Sequence, residues 1–322
     1  MGIKGLTGLI QKYAPNSVES VNLHTLSQKT LAIDASLFIY KMAFSVKGNK
    51  DGQNYGHIIG IFQKSINYLA VGIKPIYIFD GKPPKEKNCV LKVRRDKSEA
   101  LKKLMTDSND TQLKDKYKTA SFRMTIDEVN DVKKLLSHMG ISYIQAHGEA
   151  EGFASELCKM GYVDGVVTED MDSLAFGTPI LVRSNIDRAI KRKDVLSIIT
   201  MEKVLEEMNV SFDEFLDICI LSGCDYCENI KGIGPQKSYH NIKKHKNVEA
   251  FIATHKDAPP EYIAQVQKSR ELFKIFDKNI QIDQIDQTDS LIDKDALRKY
   301  MVDMCGLSEK RFDNAMMKIA FK

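Results

Sequence analysis

Three short apolar runs in this chain each close on an aspartate: LAID ends at Asp34, IYIFD at Asp80 and VVTED at Asp170. Runs of this length and composition, bounded by turn formers, read as buried strands rather than helices. The strand reading covers Thr30–Ile33, Pro75–Phe79, Ser142–Gln145, Gly165–Val167 and Ile180–Val182. Helical patterns fall between them at about 36–46, 55–71, 127–139 and 150–160. Strands alternating with helices predict an α/β fold with a mostly parallel central sheet flanked by helices. In such a sheet ligands bind just beyond the carboxyl ends of the strands, where the three aspartates stand.

The rest of the chain reads differently. Residues 82–125 are highly charged and poor in strand formers, which predicts helices projecting from the sheet. From about residue 200 the pattern is helical, broken by a glycine turn at Lys231–Pro235; after Ile280 the signals weaken until a short final helix. The expected segments are 1–107 (a first α/β region, with the charged helices starting near 82), 108–125 (the rest of those helices), 126–255 (a second α/β region with a helix-turn-helix at about 212–246) and 256–322 (a helical end), all parts of one integrated domain. No apolar run approaches the ~20 residues that span a bilayer, and the opening MGIKGLTGLI lacks the layout of a signal peptide. Six scattered cysteines suit a reduced, intracellular protein. Cys224-x-x-Cys227 lacks the second pair or the spaced histidines of a zinc site.

More carboxylates join the three. Glu149 and Glu151 sit in HGEAEG at the entrance to a helix, and Asp170 and Asp172 in TEDMDS. Residues two apart on extended backbone point the same way, so each pair can aim two carboxylates at one spot. Asp225, in LSGCDYC, follows an apolar helix. A single such acid is most simply a helix cap, and a single pair a solvated turn. Seven converging carboxylates repel one another, and divalent cations resolve the repulsion. An oxygen-only donor set points to Mg²⁺ or Mn²⁺ rather than zinc. Two such ions suit in-line attack of water on a phosphodiester. Setting these seven acids aside leaves 36 acids against 47 lysines and arginines. That basic balance suits a phosphate backbone as partner.

Two basic stretches complete the pattern. Lys82 to Lys103 holds nine Lys/Arg and three acids; Lys87 and Arg94 lie two helical turns apart and can share a face. A solvated helix face explains this run equally well. Lys231 to Lys246 (KGIGPQKSYHNIKKHK) has five lysines and no acid. Its GIGP turn leads into a helix whose first N–H groups can meet a phosphate.

Taken in order, MGIKGL, AIDAS with Tyr40 after it, GIKPIYIFDGKPP, EAE, TEDMD and GCDYCENIKGIGP closely resemble a flap endonuclease of the XPG-type structure-specific 5′ nuclease superfamily, from Met1 to about Lys246. The resemblance implies a PIN-like nuclease core, a helical arch over 82–125 and a helix-hairpin duplex-binding element. It implies metal ligands at Asp34, Asp80, Glu149, Glu151, Asp170, Asp172 and Asp225, for two Mg²⁺ ions that Mn²⁺ can replace. It gives Lys87 and Arg94 the role of holding the scissile phosphate, and Tyr40 that of a surface for an unpaired base. Duplex contacts are expected at Lys231, Gly232, Gly234, Lys237, Lys243 and Lys244, and a K⁺ ion on the backbone carbonyls of Asn229, Ile230 and Ile233. The expected activity is 5′ flap cleavage with 5′→3′ exonuclease activity, in replication, repair or recombination. The expected partner is flapped or branched DNA, bound by a monomer in the nucleus or at a viral replication site if the source is eukaryotic or viral. Relatives continue into a sliding-clamp peptide; this sequence stops at MKIAFK, so clamp binding by that route is not expected. Thr119 and Ala120 stand where basic arch residues are usual, which implies altered flap threading. Still open are another superfamily nuclease (an exonuclease, a bubble-cutting repair nuclease or a junction resolvase), a metal-dependent phosphatase and a non-catalytic DNA-binding protein.

Overall fold

Among the described residues there are nine strands, the longer ones where β-branched and aromatic residues concentrate: β1 (Val18–Asn22), β2 (Thr30–Asp34), β3 (Asn49–Lys50), β4 (Gln53–Asn54), β5 (Lys74–Phe79), β6 (Tyr143–Gln145), β7 (Gly165–Val167), β8 (Ile180–Ser184) and β9 (Val195–Thr200). The computed structural model describes residues 2–46, 48–107, 110–121, 123–184, 186, 192, 194–255, 258–274 and 291–320. Seven strands make one sheet in the order β1-β9-β8-β7-β2-β5-β6, and β3 and β4 pair as a small hairpin. β2 runs parallel to β5 and β7, and β7 parallel to β8. β9 and β1 extend the sheet antiparallel. The mostly parallel α/β architecture read from the sequence is the one observed, and the five strands expected there are all present.

The register decides where the strand ends lie. Ile33 of β2 is level with Tyr77 of β5 and with Val167 of β7. Asp34 therefore ends its strand beside the carboxyl ends of both neighbours. β2, β5 and β7 are buried almost throughout, as strands covered on both faces must be.

The chain divides into two compact units. The first takes in Met1–Asp34, Val71–Gly81 and Gln145–Gln281. Its core includes Leu6, Ile10, Leu174, Leu181, Phe215 and Tyr262, all almost wholly buried. Its helices include Leu6–Tyr13, Ala150–Lys159, Phe212–Ser222, Pro235–His245, Val248–Ile252 and Tyr262–Lys274. The helix Phe212–Ser222 starts at a capping box between Ser211 and Glu214.

The second unit takes in Ala35–Ala70, Lys82–Ile144 and Ile282–Lys322. Helices Asn88–Asp107 and Thr111–Ser121 occupy the charged stretch. Ser98 Oγ donates to Ser121 O at 2.7 Å, so the two helices are tied where both serines are buried. The side chain of Thr119, and the weakly patterned stretch from Ile280 to residue 290, lie outside the described residues. A short helix, Lys294–Arg298, and a final one, Glu309–Ala320, follow. No described helix is long and apolar enough to cross a membrane.

Candidate active site

The first unit gathers the seven acids. Asp34 is only 2% exposed and accepts a hydrogen bond from Thr168 Oγ1 at 2.9 Å, across from β2 to the end of β7. Asp80 follows β5, and its Oδ1 accepts the backbone N–H of Ala150 at 2.8 Å. Asp80 thus caps the helix that opens with Ala150. The capping explanation of a strand-end acid holds here in part, for a helix 70 residues away in sequence. Glu149 stands at the N-cap of that helix with extended backbone and makes no capping bond of its own. Its carboxylate accepts the phenol of Tyr226. Glu149 and Glu151 straddle the helix start, the one placement that lets residues two apart converge.

The second pair is held by amides. Asp170 Oδ1 accepts Asp172 N–H at 3.1 Å, and Asp172 Oδ1 accepts Ile3 N–H at 2.6 Å. Asp225 lies in the turn closed by an antiparallel backbone pairing of Cys224 with Cys227, both free thiols, after Gly223 with φ 103° ends the preceding helix. Burial first, then Cys227, Asp172 and Asp225 push the Cys224 thiol far above its ordinary range, so the charges of both aspartates bear on it.

Electrostatics links the rest. Glu151 is pushed well above the usual carboxylate range, first by loss of solvent and then by the charges of Asp34, Asp80, Asp170 and Glu149. Glu151 therefore lies within electrostatic reach of four of the other six acids. Among the described residues, no three His, Cys, Asp or Glu side chains close around a single metal-sized position. The acids form a mutually repelling cluster rather than a finished cage. By donor chemistry they fit hard divalent cations: all donors are oxygens and the excess charge is negative. Glu151's folded-state pKa exceeds its unfolded one, so its ionisation costs stability increasingly as pH rises above the unfolded value of about 4.3. Glu151→Gln is therefore expected to raise the Tm of the metal-free protein by a few degrees at pH 8 and by little at pH 5. Melting both proteins at the two pH values checks this, and added Mg²⁺ should shrink the difference by stabilising the wild-type chain.

Gly2 is among the neighbours of the acids that sequence reasoning missed. A Cβ on Gly2 would lie 1.8 Å from Asp170 Oδ1 and 2.8 Å from Asp172 Oδ1, and Gly2 has φ +90°. The only sequence signal was the glycine itself, which permits both the close approach and the conformation.

The basic hairpin belongs to the same unit. Gly232 turns with φ +81°, and the helix Pro235–His245 starts at Gly234 with Pro at its first turn and no side-chain cap. Its first N–H groups are left for an outside acceptor. Lys231 and Lys244 are exposed. Lys237 Nζ donates to Gly232 O at 2.8 Å, and Lys243 Nζ to Asn209 O. Asn229 Nδ2 donates to Ser222 O at 3.0 Å, while Ile230 and Ile233 are buried and bridged by Ile233 N–H to Ile230 O at 3.0 Å. The N-terminal helix Leu6–Tyr13 docks on this element: Tyr13 stacks on Tyr239 with ring centroids 4.4 Å apart, and its hydroxyl pairs with His240 Nε2 at 3.1 Å.

Tyr40, Lys87 and Arg94 belong to the second unit. Tyr40 is half-buried on the helix Ala35–Ser45. Lys87 ends the short turn Lys85–Lys87, and Arg94 lies in the helix Asn88–Asp107; both are half-buried.

Known proteins resemble this chain in sequence and fold. The XPG N-terminal domain matches residues 1–101 and the XPG I-region residues 140–225. The chain is 34% identical over 330 residues to flap endonuclease 1 of Caenorhabditis briggsae, covering 99% of this chain and 86% of that protein. It is 38% identical over 309 residues to flap endonuclease 1 of Cryptosporidium parvum, covering 88% of this chain and 63% of that longer relative. Among solved structures, flap endonuclease-1 from Methanococcus jannaschii superposes with a TM-score of 0.72 at 27% identity, over 99% of this chain and 98% of that one. With the sheet, the acids at its strand ends and these matches in agreement, the chain belongs to the flap endonuclease family of XPG-type structure-specific nucleases.

Proposed function

We propose that this protein hydrolyses DNA phosphodiesters at 5′ flaps and related branched junctions, with accompanying 5′→3′ exonuclease activity. In this reading Asp34, Asp80, Glu149, Glu151, Asp170, Asp172 and Asp225 hold two Mg²⁺ ions, which Mn²⁺ can replace. The observation that carries it is the position of Glu151 among four other carboxylates, whose mutual repulsion bound divalent cations relieve without protonation. When bound, the ions supply a water of lowered pKa and positive charge at the scissile phosphate.

The chain's own residues do the rest. Backbone amides of Ala150, Asp172 and Ile3 each hold one oxygen of Asp80, Asp170 and Asp172, fixing how these carboxylates face. Duplex DNA is gripped by the hairpin through Lys231, Gly232, Gly234, Lys237, Lys243 and Lys244, by contacts to the backbone rather than to bases. The carbonyls of Asn229, Ile230 and Ile233 offer K⁺ a seat in the same turn. Lys87 and Arg94 hold the scissile phosphate, and Tyr40 receives an unpaired base by stacking.

Cleavage of a 5′-labelled flap with and without Mg²⁺, alongside nicked, bubble and four-way substrates, tests the proposal. Mg²⁺-dependent cutting at the flap junction is expected; phosphate release from small molecules without DNA cutting would overturn it. Lys237→Ala is expected to weaken duplex binding severalfold and to lower the salt slope of log K by about one. Its bond to Gly232 O means the same change loosens the turn. Binding measured across a salt series separates the two effects, because a loosened turn alone leaves the slope as it was.

A further inference from the structure

Three aromatic rings run through the core of the first unit toward the acids. Phe176, just past the short helix that Asp172 opens, packs edge-on against Phe273, with centroids 5.0 Å apart at 65°. Phe273, on the helix Tyr262–Lys274, packs edge-on against Tyr226, with centroids 4.9 Å apart at 66°. All three are at least nine-tenths buried. The row touches the Glu149–Gly152 segment at both ends. At one end the Tyr226 hydroxyl donates to Glu149 Oε2. At the other the Phe176 ring lies against Gly152, where a Cβ would come within 3.1 Å of it.

Each part has a physical reason. Edge-to-face rings in a dense core have one arrangement and do not slide. A tyrosine seated this way has a fixed ring and a single proton to give. Its bond to a half-buried carboxylate is charge-assisted and directional. A Glu149 carboxylate repelled by Glu151 would otherwise swing toward solvent. The phenol holds one oxygen in place. Gly152 lets the Phe176 ring reach the helix that carries Glu151.

We infer that Phe176, Phe273 and Tyr226 form an aromatic buttress that fixes the Glu149 carboxylate, making Tyr226 a positioning residue for cation binding. The inference rests on the reading of Glu149 as a cation ligand. Tyr226→Phe removes one oxygen and keeps the ring row. Losing an outer partner of a metal ligand costs roughly 10- to 100-fold in affinity. Mn²⁺ binding to the full chain without DNA, followed by calorimetry, is therefore expected to weaken about tenfold. The Mg²⁺ concentration giving half-maximal flap cleavage should rise by the same factor, with KM for the flap at saturating Mg²⁺ unchanged. Phe273→Leu should weaken Mn²⁺ binding in the same direction by less, and combining the two changes should cost no more than Tyr226→Phe alone, since both act through one bond.

A role in stability alone would lower the Tm and leave the half-saturating Mg²⁺ where it was, which overturns the inference. Glu149→Gln distinguishes the two levels of the argument. If it weakens Mn²⁺ binding and Tyr226→Phe does not, the buttress is wrong and the nuclease reading stands. If Glu149→Gln leaves Mn²⁺ binding intact, Glu149 is not a ligand and the inference falls with that assignment.

Discussion

Replacing Asp172 by alanine is expected to lower flap cleavage by more than about 100-fold, the most that loss of an outer partner of a metal ligand costs, while flap binding measured in Ca²⁺ stays near wild type. Asp172 is 7% exposed and does two things: it supplies charge to the cluster and accepts the Ile3 N–H at 2.6 Å. Alanine removes both. Asp172→Asn keeps an acceptor of the same size for Ile3 and removes only the charge. Equal losses in the two variants would assign the effect to charge; a loss confined to alanine would assign it to the anchored N-terminus. Cleavage of a labelled flap, with binding followed by gel shift, gives both readings. Parallel loss of binding and cutting would count against the metal role.

The second large effect is on stability. Asp217, 3% exposed on the helix Phe212–Ser222, meets Arg270 in a two-pronged ion pair, Nε to Oδ1 at 2.6 Å and Nη2 to Oδ2 at 2.7 Å. Arg270 also holds Glu249 through Nη1 at 2.6 Å and Nη2 at 2.9 Å. Val248 N–H adds a third bond to Asp217 at 3.1 Å. One guanidinium thus ties together the helices Phe212–Ser222, Val248–Ile252 and Tyr262–Lys274. Burial still pushes the Asp217 pKa up, with Arg270 opposing it, so this charge depends on its partner. Arg270→Ala strands that charge and is expected to destabilise the protein by about 3–5 kcal/mol. Lysine keeps the charge and loses the fork, and should recover part of the loss. Urea unfolding of the two variants measures both. A loss below about 1 kcal/mol, the ceiling for an exposed pair, would mean that the network is solvent-screened.

The frame was legible because its signals are local. LAID, IYIFD and VVTED carry in a few residues both the apolar run of a buried strand and the acid at its end. The helix at Ala150–Lys159 was readable from periodicity, and the convergence of Glu149 and Glu151 follows from its starting point. β1 and β9 were passed over for physical reasons. β1 is half exposed, and in β9 the buried Ser197 interrupts the apolar run. As antiparallel additions they also lie outside the strand–helix alternation that revealed the others. What tunes the acids was illegible for a different reason. Ile3 meets Asp172 across 169 residues, Tyr226 meets Glu149 across 77, and Arg270 meets Asp217 across 53. No local pattern records a bond of that span.

The N-terminal segment has a consequence for where a strand is cut. Ile3 is fastened to Asp172, and a few residues on, the helix Leu6–Tyr13 is fastened to Tyr239 and His240. Eight helical residues make a rod about 12 Å long that cannot stretch. On the nuclease reading, this rod works as a gauge. The offset between the gripped phosphates and the severed bond is set by protein dimensions and not by base identity, so flaps of unrelated sequence should yield products of one length.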